Sequence, residues 1–540
     1  MGSPSRPWGS RWCAGAPGRP RTHDRLAADT RRRGTHKDRR SARREEGIRM
    51  TELAALWPDE AIEAMHLAAL SLLARAGVRV ESPAARELLL AAGCTFVAQD
   101  RVSIPAGVVE EALAACPREY VIAARDSERS LVMDPDPAQT YVHNLGGARD
   151  VVDPRTGAGR RATLHDQMLA TRVMHQLTHQ HQVTSLWQPE DVPDLLEPLY
   201  SYLILAHETD KAIGGPGISY PFQALYLQEM AVAVTGADGG DGVYPVDLAF
   251  SPVSPLILGG DVSDALVEQV RRGGVAVEIL PCPAAATTAP GALSPAIAQQ
   301  HAEVLAGVVL TQVAAPGTPV YYGPRLSAVD PRSGVVVSGT PETGVASVAA
   351  VLLARRCGLA CDCYGPCSDS KVVDAQFGYE RAVNALLGLA PRPRLLSGIG
   401  EIQAGVASCL EVLVIDDEVL NNAFYAITPR PWDPDTLDSE AMVDGVLSGR
   451  GFLGTKHTRR YIRSEFVSPS LSYRGGLGDW LAAGRSGVAD LAADRVAELV
   501  DREPAGLPDD VLGELIGLVD RCAAELGIGG HPDPRRVLGL

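Results

Sequence analysis

From about residue 183 onward, short runs of β-branched and apolar residues alternate with longer stretches whose apolar positions recur at helical spacing. Such alternation marks βα units around a parallel sheet. The candidate strands are VTSLW (183–187), KAIGG (211–215), VDLAFS (246–251), VAVEIL (275–280), TPVYYG (318–323), ACDCYG (360–365), RLLSGI (394–399) and LEVLVI (410–415). Helical stretches between them include VSDALVEQVRR, SPAIAQQHAEVLAGVVLTQV, PETGVASVAAVLLARRC and VDAQFGYERAVNALLGL. In the last of these, Ala375, Gly378, Tyr379, Ala382, Ala385, Leu386 and Leu389 share one helical face, which is expected to be buried. Eight strands over somewhat under about 250 residues predict a (β/α)8 TIM-type barrel. An open doubly wound sheet is the structural alternative, but no G-x-G-x-x-G follows any strand, so its dinucleotide-binding form has no support.

The flanking sequence divides into three further parts. Residues 50–182 read as an N-terminal, α-rich extension packed on the barrel (183–430), and residues 431–540 as a helical C-terminal region. ITPRPWDPDTLDSE (427–440), with its three prolines, reads as the boundary loop. Residues 1–49 hold 14 Lys and Arg against 5 Asp and Glu, so this segment carries about +9 while the rest of the chain carries about −25. With almost no large aliphatic residues, the basic segment is expected to be disordered, with Met50 as a candidate start and its deletion leaving folding unchanged. An arm for nucleic acid or anionic membrane is the alternative reading. The acidic remainder repels phosphate, so nucleic acid is not an expected partner of the body.

Aromatics make up only 5% of the chain, so the core relies on small and branched aliphatic side chains. No apolar run reaches the roughly 20 residues that span a bilayer, and no apolar signal core follows the basic segment, so a cytoplasmic protein off the membrane is expected. Ten cysteines in 540 residues are too sparse for a disulfide framework and fit a reduced compartment.

A parallel barrel builds its active site at the C-terminal ends of its strands. The residues that follow the predicted strands include Gly323, Glu401, the loop CSDSK (367–371) and the loop PCPAAATTAP (281–290). Tyr321 and Tyr322 point to opposite faces of one strand, so one of them enters the barrel, and Tyr364 ends another strand; core tyrosines with a satisfied hydroxyl are the competing reading. His143 and Asn144, in YVHNLGGARD, read as a loop entering the site. Asp369, Ser370 and Lys371 have a competing role as caps of a helix starting near Val372, although a cation at a helix N-terminus is electrostatically disfavoured. His175, His179 and His181 lack a fitting further ligand. Cys357, Cys361, Cys363 and Cys367 have an unusual spacing for zinc, so no metal site is assigned.

GPCSDSKVVDAQFGYE (365–380), LPCPAAATTAP (280–290), QQHAEVLAG (299–307), GTPVYYG (317–323), GTPETG (339–344), EVLVIDDE (411–418) and FLGTKHT (452–458) occur in colinear order. Together they resemble the trimethylamine methyltransferase family of corrinoid-dependent enzymes, over roughly residues 55–500. The resemblance implies a (β/α)8 barrel that moves a methyl group from an amine to the cobalt of a separate corrinoid protein, with no tightly bound cofactor of its own. It also focuses the candidate site: Asp369, Lys371 and Glu342 as catalytic groups, and Tyr322, Gly323, Tyr364, Ser368, His143 and Asn144 as substrate contacts. Family members acting on trimethylamine carry pyrrolysine, and this sequence has none. A quaternary amine such as glycine betaine is therefore the implied substrate, because its leaving group is already a neutral amine. A homo-oligomer is expected. A catalytically silent amine-binding barrel and a Zn-thiolate methyltransferase are the rival readings.

Overall fold

The computed structural model describes residues 56–215, 217–429 and 434–540, so the expectation for residues 1–49 lies outside the described residues, as does part of the 427–440 boundary. Eight parallel strands alternate with eight helices: β1 (Tyr141–Asn144), α1 (Leu164–Gln176), β2 (Gln182–Val183), α2 (Glu197–Glu208), β3 (Ala212–Ile213), α3 (Pro221–Thr235), β4 (Asp247–Phe250) and α4 (Gly260–Arg272). The second half continues with β5 (Ala276–Ile279), α5 (Leu293–Ala314), β6 (Val320–Tyr322), α6 (Pro341–Arg356), β7 (Asp362–Tyr364), α7 (Ala375–Leu389), β8 (Leu395–Ile399) and α8 (Leu410–Ile427). Each strand pairs in parallel with the next, through single bridges at Gly214–Asp247 and Tyr322–Cys361, and β8 pairs with β1. The sheet closes on itself as the predicted barrel.

One strand assignment is corrected. LEVLVI (410–415) is the first part of α8, and the strand that closes the barrel is YVHN, inside the predicted N-terminal extension. A short apolar run reads equally as a buried strand or a buried helix segment, and Val412–Asp416 is buried in the helical layer. The buried face of α7 also differs from expectation. Ala385 and Leu389 are buried as expected, but Phe377, Arg381, Asn384, Leu387 and Gly388 also turn inward, while Ala375, Gly378 and Ala382 are exposed and Tyr379 is 61% exposed. A buried ion pair decides the orientation: Arg381 meets Asp416 of α8 at 3.0 Å and donates to the Pro366 and Gly398 carbonyls.

The N-terminal region closes the barrel from below. Tyr120–Ile122 and Leu131–Met133 form an antiparallel hairpin whose Tyr120, Ile122, Leu131 and Met133 pack against Ala212, Ala276, Tyr321, Ala360 and Leu395 at the strand starts. Helix Asp59–Arg75 lies over α5, which is buried continuously from Ala296 to Gln312 because it is sandwiched between the barrel and this outer layer. At the C-terminal end, helices Val488–Val500 and Asp509–Glu525 pack on the outer helices, the first tied down by Arg155–Asp490 at 2.7 Å and by Arg172 to the Val500 carbonyl at 3.1 Å. Among the described residues no helix is long and apolar enough to cross a membrane.

Candidate active site

At the C-terminal ends of the strands the barrel opens into a cavity of about 400 Å³, within the range of small-molecule sites. Its polar walls come from inside the strands. Asp247 opens β4, and its carboxylate accepts hydrogen bonds from Gln182 Nε2 of β2 at 2.8 Å and from the Tyr321 hydroxyl of β6. Glu278 of β5 and Asp362 of β7 flank Arg325, which follows β6; the guanidinium bonds the Asp362 carboxylate and reaches Glu278 at 3.3 Å. His143 of β1 completes this belt, with Nε2 2.9 Å from Asp362 and Nδ1 2.9 Å from the Asn144 carbonyl.

Electrostatics separates these acids. Burial would raise the Asp362 carboxyl, but Arg325 and His143 outweigh it and hold Asp362 ionised well below the usual range. Burial, then the negative Asp362, pushes Glu278 well up, so the proton of this coupled pair resides on Glu278. Burial also raises Asp247, against the hydrogen bonds from Tyr321 and Gln182. Glu197, at the start of α2 on the cavity wall, is pushed up to about 7 by burial. Three acidic side chains thus face a cavity whose single arginine is already engaged by Asp362.

The expected site residues separate into two groups. His143, Asn144 and Tyr364 line the cavity. Asn144 is spent on structure: its amide donates to the Leu145 and Thr184 carbonyls at 2.8 and 2.9 Å and accepts from Gln180. Tyr364 donates to Glu401 at 2.6 Å, and Arg325 lies 5.5 Å over its ring. Gly323 matters through what it lacks, since a side chain there would collide with the Glu278 carboxylate. Tyr322 faces the other way: its hydroxyl meets His301 of α5 at 3.0 Å, and the inward member of the pair is Tyr321.

Asp369, Lys371, Ser368 and Glu342 do not reach the cavity. Asp369 accepts the Ser338 and Gly339 N–H groups at 3.0 and 2.9 Å, fastening the turn before α6. Ser368 donates to Glu380 at 2.8 Å, and exposed Lys371 donates to the Asp369 carbonyl at 2.5 Å. Glu342 is exposed beside a separate hollow lined by Ala285, Leu326 and Thr343. The cap of α7 is Asp374, which accepts from Phe377 N at 3.0 Å, and not the 369–371 loop.

Asp247, Glu278 and Asp362, which sequence reasoning passed over, sit inside the strands rather than after them. Their signal is visible in VDLAFS, VAVEIL and ACDCYG, each an apolar run interrupted by a single acid. A lone carboxyl in a buried strand needs a partner, and such groups gather at functional sites.

Closed barrel, sealed floor and charged cavity define a (β/α)8-barrel enzyme with a small-molecule site at the strand ends. The chain matches the family model described as trimethylamine methyltransferase (MTTB) over residues 23–527, and it belongs to that methyltransferase family. It is similar to the trimethylamine methyltransferase MttB1 of Methanosarcina acetivorans, 27% identical over 483 residues, 86% of this chain and 95% of that protein. It is similar to the glycine betaine methyltransferase of Desulfitobacterium hafniense (strain Y51), 28% identical over 425 residues, 78% of this chain and 87% of that protein. Among solved structures, the Methanosarcina barkeri monomethylamine methyltransferase MtmB aligns with a TM-score of 0.45 at 12% identity, covering 85% of this chain and 97% of that one.

Proposed function

We propose that this methyltransferase takes a methyl group from a quaternary ammonium compound of the glycine betaine type and delivers it to a corrinoid protein docked over the barrel mouth. The observation that carries the reading is the set of acids on the cavity wall: Asp247 and Glu197 face a space in which Arg325 is already paired with Asp362, while Glu278 holds its proton. A permanent cation fits that imbalance. Asp247, held in place by Tyr321 and Gln182, balances the ammonium charge, while the rings of Tyr321, Tyr364 and Trp187 on the cavity wall add cation–π attraction. Fixing the head group this way presents one N-methyl carbon to the opening, and enclosure excludes water. Gly146, Gly147 and Gly217 are exposed members of the cavity lining, which leaves room for a large planar group. The partner's corrinoid supplies the nucleophilic cobalt that accepts the methyl group, and the departing neutral amine needs no proton from the enzyme.

A Zn-thiolate mechanism finds less support, because Cys361, Cys363 and Cys367 are buried away from the cavity wall and Cys363 is bonded to the Gly388 carbonyl at 3.4 Å. The nine cysteines among the described residues are all unpaired, which fits a cytoplasmic setting. Exposed Leu447, Leu453, Phe466 and Leu477 in the C-terminal region support assembly into a homo-oligomer. Mixing the purified chain with a reduced corrinoid partner and a panel of quaternary amines should produce the methyl-cobalt absorption spectrum with at least one of them. Tight amine binding without any methyl-cobalt across the panel would instead establish a silent amine-binding barrel.

A further inference from the structure

Outside the cavity, a second cluster of reactive side chains lies in the layer between the barrel and the N-terminal helices. His66 of helix Asp59–Arg75, His301 in the middle of α5 and Cys357 at the end of α6 direct Nδ1 or Nε2 and Sγ atoms to within 4.8 Å of one another. Among the described residues this is the single grouping of three His, Cys or acidic side chains with that convergence. Three distant stretches of chain contribute one ligand each.

We propose that His66, His301 and Cys357 form a metal site for a borderline transition-metal ion, Zn(II) by the chemistry of its donors, that pins the N-terminal helix to the barrel. Two imidazoles and a thiolate suit Zn(II), with water at a fourth position. Zn–N bonds of about 2.0–2.1 Å and a Zn–S bond of about 2.3 Å place donor atoms roughly 3.3–3.7 Å apart in a tetrahedron. His66 Nδ1 and His301 Nε2 stand 2.9 Å apart, so a small side-chain rotation admits the ion. The surrounding groups prepare His301 for this role. In the tautomer that donates Nδ1–H to the Tyr322 hydroxyl at 3.0 Å, its Nε2 lone pair faces His66, the arrangement by which an outer partner orients a metal-bound imidazole.

Other features agree. Both rings are buried, so the cluster is shielded from solvent. Coordination releases the Cys357 thiol proton to solvent as the thiolate forms. Glu63 and Glu110 act on His66 with negative charge while Arg356 acts with positive charge, and Arg356 is paired with Glu63 at 2.6 Å. A dication with one thiolate adds one positive charge, which these side chains balance.

The test uses the full chain, stripped with a chelator and titrated with Co(II) under anaerobic conditions. One Co(II) per chain should bind, giving the thiolate-to-cobalt charge-transfer band and the intense visible bands of a four-coordinate ion, with Zn(II) displacing it. Cys357→Ser should abolish the charge-transfer band, and Tyr322→Phe should keep it while weakening affinity by roughly 10–100-fold. In the unmutated chain, Zn(II) should raise the thermal midpoint of the stripped protein. Failure to bind stoichiometric Co(II), a charge-transfer band that survives Cys357→Ser, or a midpoint indifferent to Zn(II) would each overturn the site and leave His66 and His301 as a simple hydrogen-bonded pair.

Discussion

Two polar regions at the same end of the barrel invite comparison: the belt of Asp247, Glu278, Asp362, Arg325 and Tyr321 inside the strands, and the loop 367–371 just beyond β7. Both are rich in charged and hydroxyl side chains. In the loop, each of those groups is spent on the chain itself: Asp369 on the turn before α6, Ser368 on Glu380, Ser370 on Asp374, Lys371 on its neighbour's carbonyl. In the belt, Asp247, Glu278, Tyr321 and Arg325, from three strands and the segment after β6, converge on an open volume, with Asp362 paired to Arg325. The same residue types therefore mean different things. Polar groups that satisfy backbone atoms hold a fold in place, whereas polar groups from several strands that face a common space are available to a ligand.

The sharpest test of this contrast compares two aspartates. Asp247→Asn should lower kcat/KM for a quaternary amine by about 10²–10³-fold, because a buried cation loses its countercharge, with little change in the denaturation midpoint. Asp369→Asn should do the reverse, costing about 1–2 kcal/mol of stability in urea denaturation, since one oxygen must replace two as acceptor, with kcat/KM changed only a few-fold.

A second test uses pH. Glu197 keeps its proton up to about pH 7 in the folded chain, and a bound cation favours its ionised form. Affinity for a quaternary amine, which does not itself titrate, should rise as pH climbs through about 7, and Glu197→Gln should flatten that rise. The sign for stability is opposite. The folded state binds this proton more tightly than the unfolded chain, so stability falls as pH rises between the ordinary glutamate range and about 7. A calorimetric series of binding and melting against pH reads both slopes.

The smallest effect separates the tyrosines. Tyr364→Leu should weaken amine binding by about 0.5–2 kcal/mol through lost cation–π attraction, whereas Tyr322→Phe should leave it unchanged, as titration calorimetry will read.

How much of this was legible follows the same line. Hydrophobic period and length revealed the barrel, because seven of its strands sit in apolar runs separated by long helical stretches. YVHN escaped, being short and half polar, and LEVLVI took its place because periodicity cannot tell a short buried strand from a buried helix segment. The site was harder to read. Its rule, that function lies after the strands, pointed to the 367–371 loop, whose groups turn inward on the chain; the informative residues were the isolated acids within VDLAFS, VAVEIL and ACDCYG. The choice between Tyr321 and Tyr322 depends on strand register, which pairing with neighbours sets and a single strand does not show.

The central claim, that the cavity around Asp247 is where a quaternary amine gives up its methyl group, is tested most directly by a single turnover with glycine betaine labelled on its N-methyl groups and a reduced corrinoid partner. The account predicts label on the corrinoid and dimethylglycine in one-to-one yield for the unmutated chain and, at a rate within a few-fold, for Asp369→Asn, with transfer about 10²–10³-fold slower for Asp247→Asn. Transfer at the unmutated rate in Asp247→Asn, with transfer lost in Asp369→Asn, would contradict it and move the chemistry to the loop.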